Sequence, residues 1–305
     1  MYSLSRKIYA FFTIFIGLLF FTSGIMRHDV NEAEYLKLGS LKQFESVGEV
    51  IKDSTNKTEG SCVLIDKKFV LSAAHVFAEF ETTPDTIKMN GQKIVVNLPS
   101  KAKLADISKF YLNFNNQKYK IKSVVLHPNY SENFKNGGYD IALIQLKEEI
   151  KNVIPATLNK SLNELNENVV GVGYGMSGVA NKPNELSLQH KKIGGENVID
   201  SIGGLKIKNL HTILYCDFDS SEDPSLNLMG SALPRPLEYL PVAGDSGGGL
   251  FRQDGNSWNL IGIVHGGKID LNHLKKNGYY GTLMGWTRVS VFNDWITKTM
   301  DEKRK

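Results

Sequence analysis

The sequence contains little cysteine, with only Cys62 and Cys216 in 305 residues. This scarcity excludes a small domain stabilised by several disulfides, which is the usual architecture of cysteine-rich secreted modules. A chain of this length can bury a sizeable apolar core without covalent cross-links. One disulfide and two buried free thiols are therefore both compatible with the sequence.

Metal-binding patterns and long charged runs are also absent from the sequence. It has no HExxH segment and no CxxC pair, and its seven histidines are scattered. No metal ion or other cofactor is therefore expected, although a calcium-binding loop is left open. The net charge is only +4, and no Lys/Arg run marks a nucleic-acid surface, so nucleic acid is not an expected partner.

The first 24 residues resemble a targeting segment. Arg6 and Lys7 precede an almost wholly apolar run, Ile8 to Phe21, and the small residues Thr22 to Gly24 follow it. This pattern predicts a signal peptide over residues 1–24, and hence a secreted or periplasmic protein without stable membrane association. The alternative is a membrane anchor over residues 8–26, which is nearly long enough to span a thin bilayer.

Short β-branched or aromatic runs follow one another from about residue 46 to residue 290, and Gly, Asn, Asp and Pro clusters separate them. This spacing predicts an all-β barrel or sandwich. A polar connector near residues 150–168 divides the chain into halves of similar size. Near the end, Val291, Phe292, Trp295 and Ile296 have helical spacing, which predicts a C-terminal helix over about 290–300.

The segment Gly244-Asp245-Ser246-Gly247-Gly248 is typical of a nucleophile turn. A nucleophilic serine needs an exposed hydroxyl and backbone N–H groups that converge on the developing oxyanion. A glycine-rich hairpin is the structural alternative. The same letters fit the nucleophile elbow of α/β-hydrolases, which needs an acid and then a histidine after the serine. Only 59 residues follow Ser246, and the upstream strands do not alternate with helices, so the elbow is disfavoured.

Two further segments offer the partners that such a serine requires. Val70 to Ala74 is an apolar strand that passes into small residues and ends at His75. Asp140 directly precedes the apolar run Ile141–Ile144. A carboxylate next to a buried strand is costly unless it is paired. A hydrogen bond from an imidazole N–H would offset this cost, and the carboxylate would in turn orient the imidazole ring.

The order His75, Asp140, Ser246, with separations of 65 and 106 residues, resembles the chymotrypsin/trypsin family. The resemblance covers roughly residues 25–300. It implies a peptidase domain over 25–305 with two six-stranded antiparallel Greek-key barrels, about 40–155 and 165–290, and an active-site cleft between them. The segments that support it are LSAAH, DIAL, GDSGG, HPNY (127–130), GVGYG (171–175), LIGIVHGG (260–267) and TRVSVFNDWI (287–296).

The resemblance implies a serine endopeptidase that acts on polypeptides, as a secreted bacterial monomer. Ser246 would be the nucleophile, His75 the general base and Asp140 its orienting acid, and the backbone N–H groups of Gly244 and Ser246 would form the oxyanion hole. Asp245 would pair with a freed N-terminal amine, for which cleavage after Gly24 would supply Ile25. The alternatives are a catalytically silent homologue that binds proteins through the same cleft, and an esterase.

Several positions depart from the family pattern. Val76 and Val242 stand where relatives often have cysteine, so none of the family disulfides is expected. His265 stands where the family usually has a serine that contacts the catalytic acid, so either a contact with Asp140 or a structural histidine is possible. Leu240, Gly267 and Met284 would line an apolar pocket that favours a large hydrophobic substrate residue. A shifted alignment would bring Glu238 there instead, and residues 217–236 form an insertion beside the pocket.

Overall fold

A computed structural model describes residues 23–89, 92–134, 138–183, 185–187, 190–268 and 271–305. The predicted signal peptide, except Ser23 and Gly24, lies outside these ranges and stays a prediction. Within them, no helix is long and apolar enough to span a bilayer.

The first half of the chain consists mainly of short strands. In chain order its elements are β1 (Ser23–Met26), α1 (Glu32–Gly39), β2 (Val47–Lys52), β3 (Lys57–Asp66), β4 (Phe69–Ser72), β5 (Ala78–Met89), β6 (Gln92–Leu104), β7 (Phe110–Phe114), β8 (Gln117–Leu126), α2 (Tyr130–Asn133) and β9 (Ala142–Leu146).

The second half has the same character and ends in the longest described helix. Its elements are β10 (Thr157–Leu158), β11 (Asn168–Gly173), β12 (Met176–Val179), β13 (Ile193–Val198), β14 (Ser201–Ile207), β15 (Leu210–Asp217), β16 (Tyr239–Leu240), β17 (Gly249–Asp254), β18 (Ser257–Lys268), α3 (Leu271–Asn277), β19 (Leu283–Arg288) and α4 (Val289–Arg304).

The first six-stranded barrel is closed in the order β2-β3-β4-β9-β8-β7. Successive side chains of a strand point to opposite faces, and in β4 and β9 both faces are buried. In β4, Val70 belongs to the core inside the barrel, whereas Phe69 and Leu71 join a second core that includes Val170 and Phe251 of the other half. This double burial explains why β4 and β9 have continuous apolar sequences instead of an alternating pattern.

The second barrel follows the order β13-β11-β17-β18-β19-β15-β14, with the short β10 added beside β18. Only Ile199 and Asp200 separate β13 from β14, so one bent run of chain pairs with β11 at one end and with β15 at the other. Counted as one strand, this run completes a ring of six antiparallel strands. The prediction of an all-β, two-barrel fold with a short C-terminal helix is confirmed.

A buried ion pair joins the inter-barrel connector to the start of α4. Arg288 donates to both carboxylate oxygens of Glu164, at 3.1 and 2.6 Å, and the Ser290 hydroxyl donates to the same group at 2.8 Å. Both charged side chains are almost completely buried. Removing one partner of such a pair leaves the other charge buried without compensation.

Replacing Glu164 with alanine is therefore expected to lower the free energy of unfolding by about 3–5 kcal/mol. Urea unfolding followed by circular dichroism would measure the change. Asp294→Ala is the matched control, because Asp294 pairs with Lys208 on the exposed surface. Its expected effect is below about 1 kcal/mol, and equal losses in the two variants would contradict the prediction.

Candidate active site

His75 and Asp140 meet because their strands pair. Ser72 at the end of β4 lies opposite Ala142 at the start of β9, so the residues just beyond these ends are neighbours. His75 occupies a 3₁₀ turn, Ala74–Phe77. Its Nδ1 lies 2.7 Å from Oδ2 of Asp140, and its backbone N–H donates to Oδ1 at 2.9 Å. The carboxylate therefore holds both the ring and the backbone of His75.

The electrostatics of this pair favour an ionised Asp140. Burial raises the pKa of the carboxyl, but the charge of His75 and hydrogen bonds from His265 and His75 outweigh burial and hold that pKa well below its usual range. Burial alone would lower the pKa of His75, but the charge of Asp140 and its hydrogen bond raise it above the usual value. An ionised acid beside the ring would stabilise an imidazolium if His75 accepted a proton.

A strained residue places Asp140. Tyr139 has φ of +62°, in the left-handed region that aromatic residues rarely adopt. Its ring stacks on His127 with centroids 4.7 Å apart, and its carbonyl accepts the Ile141 N–H at 2.8 Å. Burial lowers the pKa of His127 to about 4, so this ring is neutral near pH 7. Nothing in the HPNY segment indicated that its histidine would stack on the residue that precedes the acid.

The turn around Ser246 depends on two glycines with positive φ, Gly244 at +85° and Gly247 at +86°. A side chain at either position would be strained. The N–H groups of Asp245, Gly247 and Gly248 each donate to a backbone carbonyl. Among the described residues, the N–H groups of Gly244 and Ser246 have no hydrogen-bond acceptor. The turn thus leaves available the two donors that an oxyanion hole needs.

Ser61 in β3 ties this turn to the first barrel. Its N–H donates to the Ser246 carbonyl at 2.7 Å, and its hydroxyl donates to the Gly244 carbonyl at 2.8 Å. The same hydroxyl accepts the Tyr174 N–H at 2.8 Å. The turn also packs closely on the end of β4, since a Cβ on Gly247 would lie 2.1 Å from the Ser72 hydroxyl oxygen. The sequence did not predict this role for Ser61, which appears there only as a small polar residue at the start of an apolar run.

Asp245 is buried behind the turn. Its carboxylate accepts the N–H groups of Gly175 and Val242, at 2.8 and 3.0 Å. Burial raises its pKa to about 6. The strand β1 lies beside it, because a Cβ on Gly24 would be 3.4 Å from an Asp245 carboxylate oxygen. Ile25 is completely buried between β12 and β16. The structure thus brings the predicted N-terminal segment to the predicted acid.

Comparison with known proteins agrees with this geometry. A family model described as Trypsin matches residues 49–213, which is more than half of the chain. The chain belongs to the trypsin family. The matched range contains His75 and Asp140 and ends before Ser246. The last of the three motifs therefore rests on the turn geometry described above.

Individual relatives in the trypsin family are distant. Vitamin K-dependent protein C of Oryctolagus cuniculus is 26% identical over 267 residues, which are 83% of this chain and 49% of that protein. Complement C1s subcomponent of Rattus norvegicus is 26% identical, over 80% of this chain and 32% of that protein. Atrial natriuretic peptide-converting enzyme of Homo sapiens is 25% identical, over 78% of this chain and 20% of that protein. The chain spans about half of the length of these relatives or less.

One unusual residue for the trypsin family is His265. Its Nδ1 lies 2.8 Å from Oδ2 of Asp140, so of the two alternatives the structure shows the contact with Asp140.

The two cysteines, Cys62 and Cys216, are both free and buried. Burial raises the pKa of both thiols well above the usual value, so neither is a reactive thiolate at neutral pH.

The three predicted pocket residues are brought together. Leu240 and Met284 share one apolar cluster, and Met284 lies opposite Gly267 in the pairing of β18 with β19. A Cβ on Gly267 would lie 2.1 Å from the Met284 sulfur, so this side chain is pressed against the glycine. Leu240 is fully buried opposite Ile25.

Glu238 does not offer a negative charge to a basic substrate residue at neutral pH. Its side chain is buried, and its carboxyl accepts the N–H of Arg235. Burial, reinforced by the negative charges of nearby Asp219 and Asp200, raises the pKa of Glu238 to about 9, so this carboxyl is protonated near pH 7.

Across the described residues, no group of three or more His, Cys, Asp or Glu side chains is placed to hold a metal ion.

Proposed function

We propose that this protein is a secreted serine endopeptidase, with a peptidase domain over residues 25–305 that remains after loss of residues 1–24. The observation that carries the proposal is the His75–Asp140 pair at 2.7 Å, on the same edge of the first barrel on which the Ser246 turn docks. A histidine in a fixed tautomer beside a serine turn with two available N–H groups is suited to acyl transfer.

In this mechanism Ser246 Oγ attacks the carbonyl carbon of a peptide bond while His75 Nε2 accepts the hydroxyl proton. The oxyanion is bound by the N–H groups of Gly244 and Ser246, and Asp140 stabilises the imidazolium. His75 then donates the proton to the leaving amine, which gives an acyl-enzyme. Water, deprotonated by His75, releases the carboxylic acid and restores the serine.

Active-site labelling tests this function. The purified chain beginning at Ile25 would be treated with a fluorophosphonate, and the modified residue mapped by mass spectrometry, beside hydrolysis of a denatured protein. Labelling of Ser246 together with cleavage of peptide bonds is expected. Hydrolysis of esters without peptides would favour the esterase. A chain that neither labels nor cleaves would favour the catalytically silent binding protein.

The buried Asp245 further supports activation by a new N-terminus at Ile25, released when the signal peptide is removed. A cation beside Asp245 would offset the cost of burying its charge. Within the described residues of the continuous chain, no lysine, arginine or histidine forms an ion pair with this carboxylate. The amine of Ile25 would be the missing partner.

A chain extended before Ile25 by several neutral residues, so that its terminal amine lies away from Asp245, is expected to be less stable at neutral pH than one beginning at Ile25, and less active. With no cation beside it, Asp245 has a pKa raised from 3.8 to about 6. Its stabilising contribution is present below pH 4 and is lost as the pH rises through 6. The amine of Ile25 would remove this loss, so the difference in melting temperature should grow from pH 4 to pH 7. A difference independent of pH would contradict the pairing.

The pocket residues support an apolar substrate residue before the cleaved bond, with Met284 limiting the depth of the pocket. Met284→Ala is expected to raise kcat/KM for phenylalanine relative to alanine at this position by about 10-fold or more, because extra methylenes in an apolar pocket count strongly. A matched pair of peptide substrates would measure the ratio. Met300→Ala in α4 is the control, and an unchanged ratio in Met284→Ala would exclude Met284 from the pocket.

A further inference from the structure

One oxygen of Asp140 contacts two imidazoles. Oδ2 lies 2.7 Å from Nδ1 of His75 and 2.8 Å from Nδ1 of His265. Oδ1 accepts the His75 backbone N–H at 2.9 Å. The carboxylate is almost completely excluded from solvent, so these three donors satisfy it in place of water.

The charge state of Asp140 determines what each ring does. An ionised carboxylate only accepts hydrogen bonds, so each imidazole must donate from Nδ1. This leaves Nε2 of each neutral ring as an acceptor. His265 therefore holds the same tautomer as His75 and shares the same carboxylate oxygen with it.

The His265 contact also connects the two barrels. Asp140 precedes β9 of the first barrel, whereas His265 lies in β18 of the second. The preceding residue, Val264, bonds directly to the Ser246 turn, since its carbonyl accepts the Gly247 N–H and its N–H donates to the Gly248 carbonyl, both at 2.9 Å. A second link, from the Thr287 hydroxyl to the Asp140 backbone carbonyl at 2.9 Å, lies beside it.

We infer that His265 is a positioning residue that holds the Asp140 carboxylate against the second barrel. Its hydrogen bond also makes His75 one of two imidazole donors to the same carboxylate oxygen. This inference rests on the proposed peptidase mechanism. His265 donates from Nδ1 to the carboxylate while its backbone belongs to β18 of the second barrel. Without the His265 donor, a buried carboxylate would keep only one side-chain donor and would lose its anchor to the strand beside Ser246.

Two substitutions separate the hydrogen bond from the packing. In His265→Asn, the amide nitrogen takes a position close to Nδ1 and keeps the donor, whereas His265→Leu keeps a similar volume without a donor. His265→Leu is expected to lower kcat by about 10- to 100-fold, because hydrogen bonds to buried charges are strong. His265→Asn should stay within about 3-fold of wild type, and KM should change by less than about 2-fold in both. His211→Leu, in the β14–β15 hairpin, is the control.

Nuclear magnetic resonance of ¹⁵N-histidine-labelled protein gives a readout that needs no activity. Two far-downfield Nδ1–H signals, from His75 and His265, are expected in wild type. In His265→Leu one disappears and the other moves further downfield, because His75 becomes the only imidazole donor to Oδ2. If the protein has no peptidase activity but shows these signals and this shift, the hydrogen-bond arrangement stands and only the proposed reaction fails.

Three results would overturn the inference. The first is equal loss of kcat in His265→Asn and His265→Leu, which would indicate packing alone. The second is a His75 signal that does not move in His265→Leu. The third is the absence of a downfield His265 Nδ1–H signal from the wild-type spectrum. This measurement tests the inference even if His265→Leu does not fold.

Discussion

Replacement of Ser246 by alanine is expected to lower kcat for a peptide substrate by about 10⁶-fold, because residues of a catalytic triad act as a unit and little remains when the nucleophile is lost. Ser246 is hydrogen-bonded to the first barrel through its backbone, because its carbonyl accepts the Ser61 N–H. The substitution therefore leaves the hydrogen bonds of the turn intact. Steady-state kinetics of the variant, with circular dichroism as a check on folding, would measure the effect.

Ser257→Ala is the matched control for this experiment. Ser257 is the exposed first residue of β18, its side chain has no proposed role in the reaction, and its replacement should leave full activity. Retention of more than about one per cent of wild-type kcat in Ser246→Ala would mean that another residue acts as the nucleophile. In that case the fluorophosphonate would label a different site.

The second large effect is expected for Asp140→Asn, which should lower kcat by about 10⁴-fold at neutral pH. The amide keeps the shape of the carboxyl but replaces one acceptor oxygen with a donor. In the structure two imidazole Nδ1 atoms face Oδ2, and the His75 backbone N–H faces Oδ1, so either orientation of the amide places its NH₂ against a donor. The backbone N–H can only donate, so it favours the amide oxygen at the Oδ1 position and the NH₂ against Nδ1 of His75. His75 is then driven to the tautomer that carries its proton on Nε2 and cannot accept another there.

Measured kcat and KM for Asp140→Asn separate this effect from a loss of binding. The loss should fall on kcat, because no substrate contact is attributed to Asp140. Asp254→Asn, at the exposed end of β17, is the control. A loss in Asp140→Asn no larger than that of the control would rule out Asp140 as the orienting acid.

Strands of the first barrel and the C-terminal helix followed from local patterns. The short runs Phe69–Leu71 and Ile141–Leu146 predicted strands, and they form most of β4 and β9 in the first barrel. The spacing of Phe292 and Ile296 predicted a helical apolar face, and both pack against the core between the barrels. These features depend on periodicity and on local conformational preference, which a sequence carries within a few residues.

The surroundings of the candidate site followed much less from sequence. An aromatic residue such as Tyr139 is not expected in the left-handed region, yet Tyr139 adopts this conformation, and its ring stacks on His127. Nothing near Ser61 in the sequence distinguishes it from other serines, and its hydrogen bond to the Ser246 turn depends on how β3 packs against that turn. No local pattern shows that Cys62 and Cys216 lie in the cores of different barrels, which keeps them apart as free thiols.

The amino-acid sequence was enough to predict the all-β architecture and the three segments that contain His75, Asp140 and Ser246, since each segment combines a strand, a turn and a reactive side chain within about six residues. The folded chain was needed to show that His265 shares Asp140 with His75 and that Met284 is pressed against Gly267. Asp140 and His265 are 125 residues apart in the chain. Such contacts depend on strand register and on how the two barrels pack, and neither is encoded in the spacing of nearby residues.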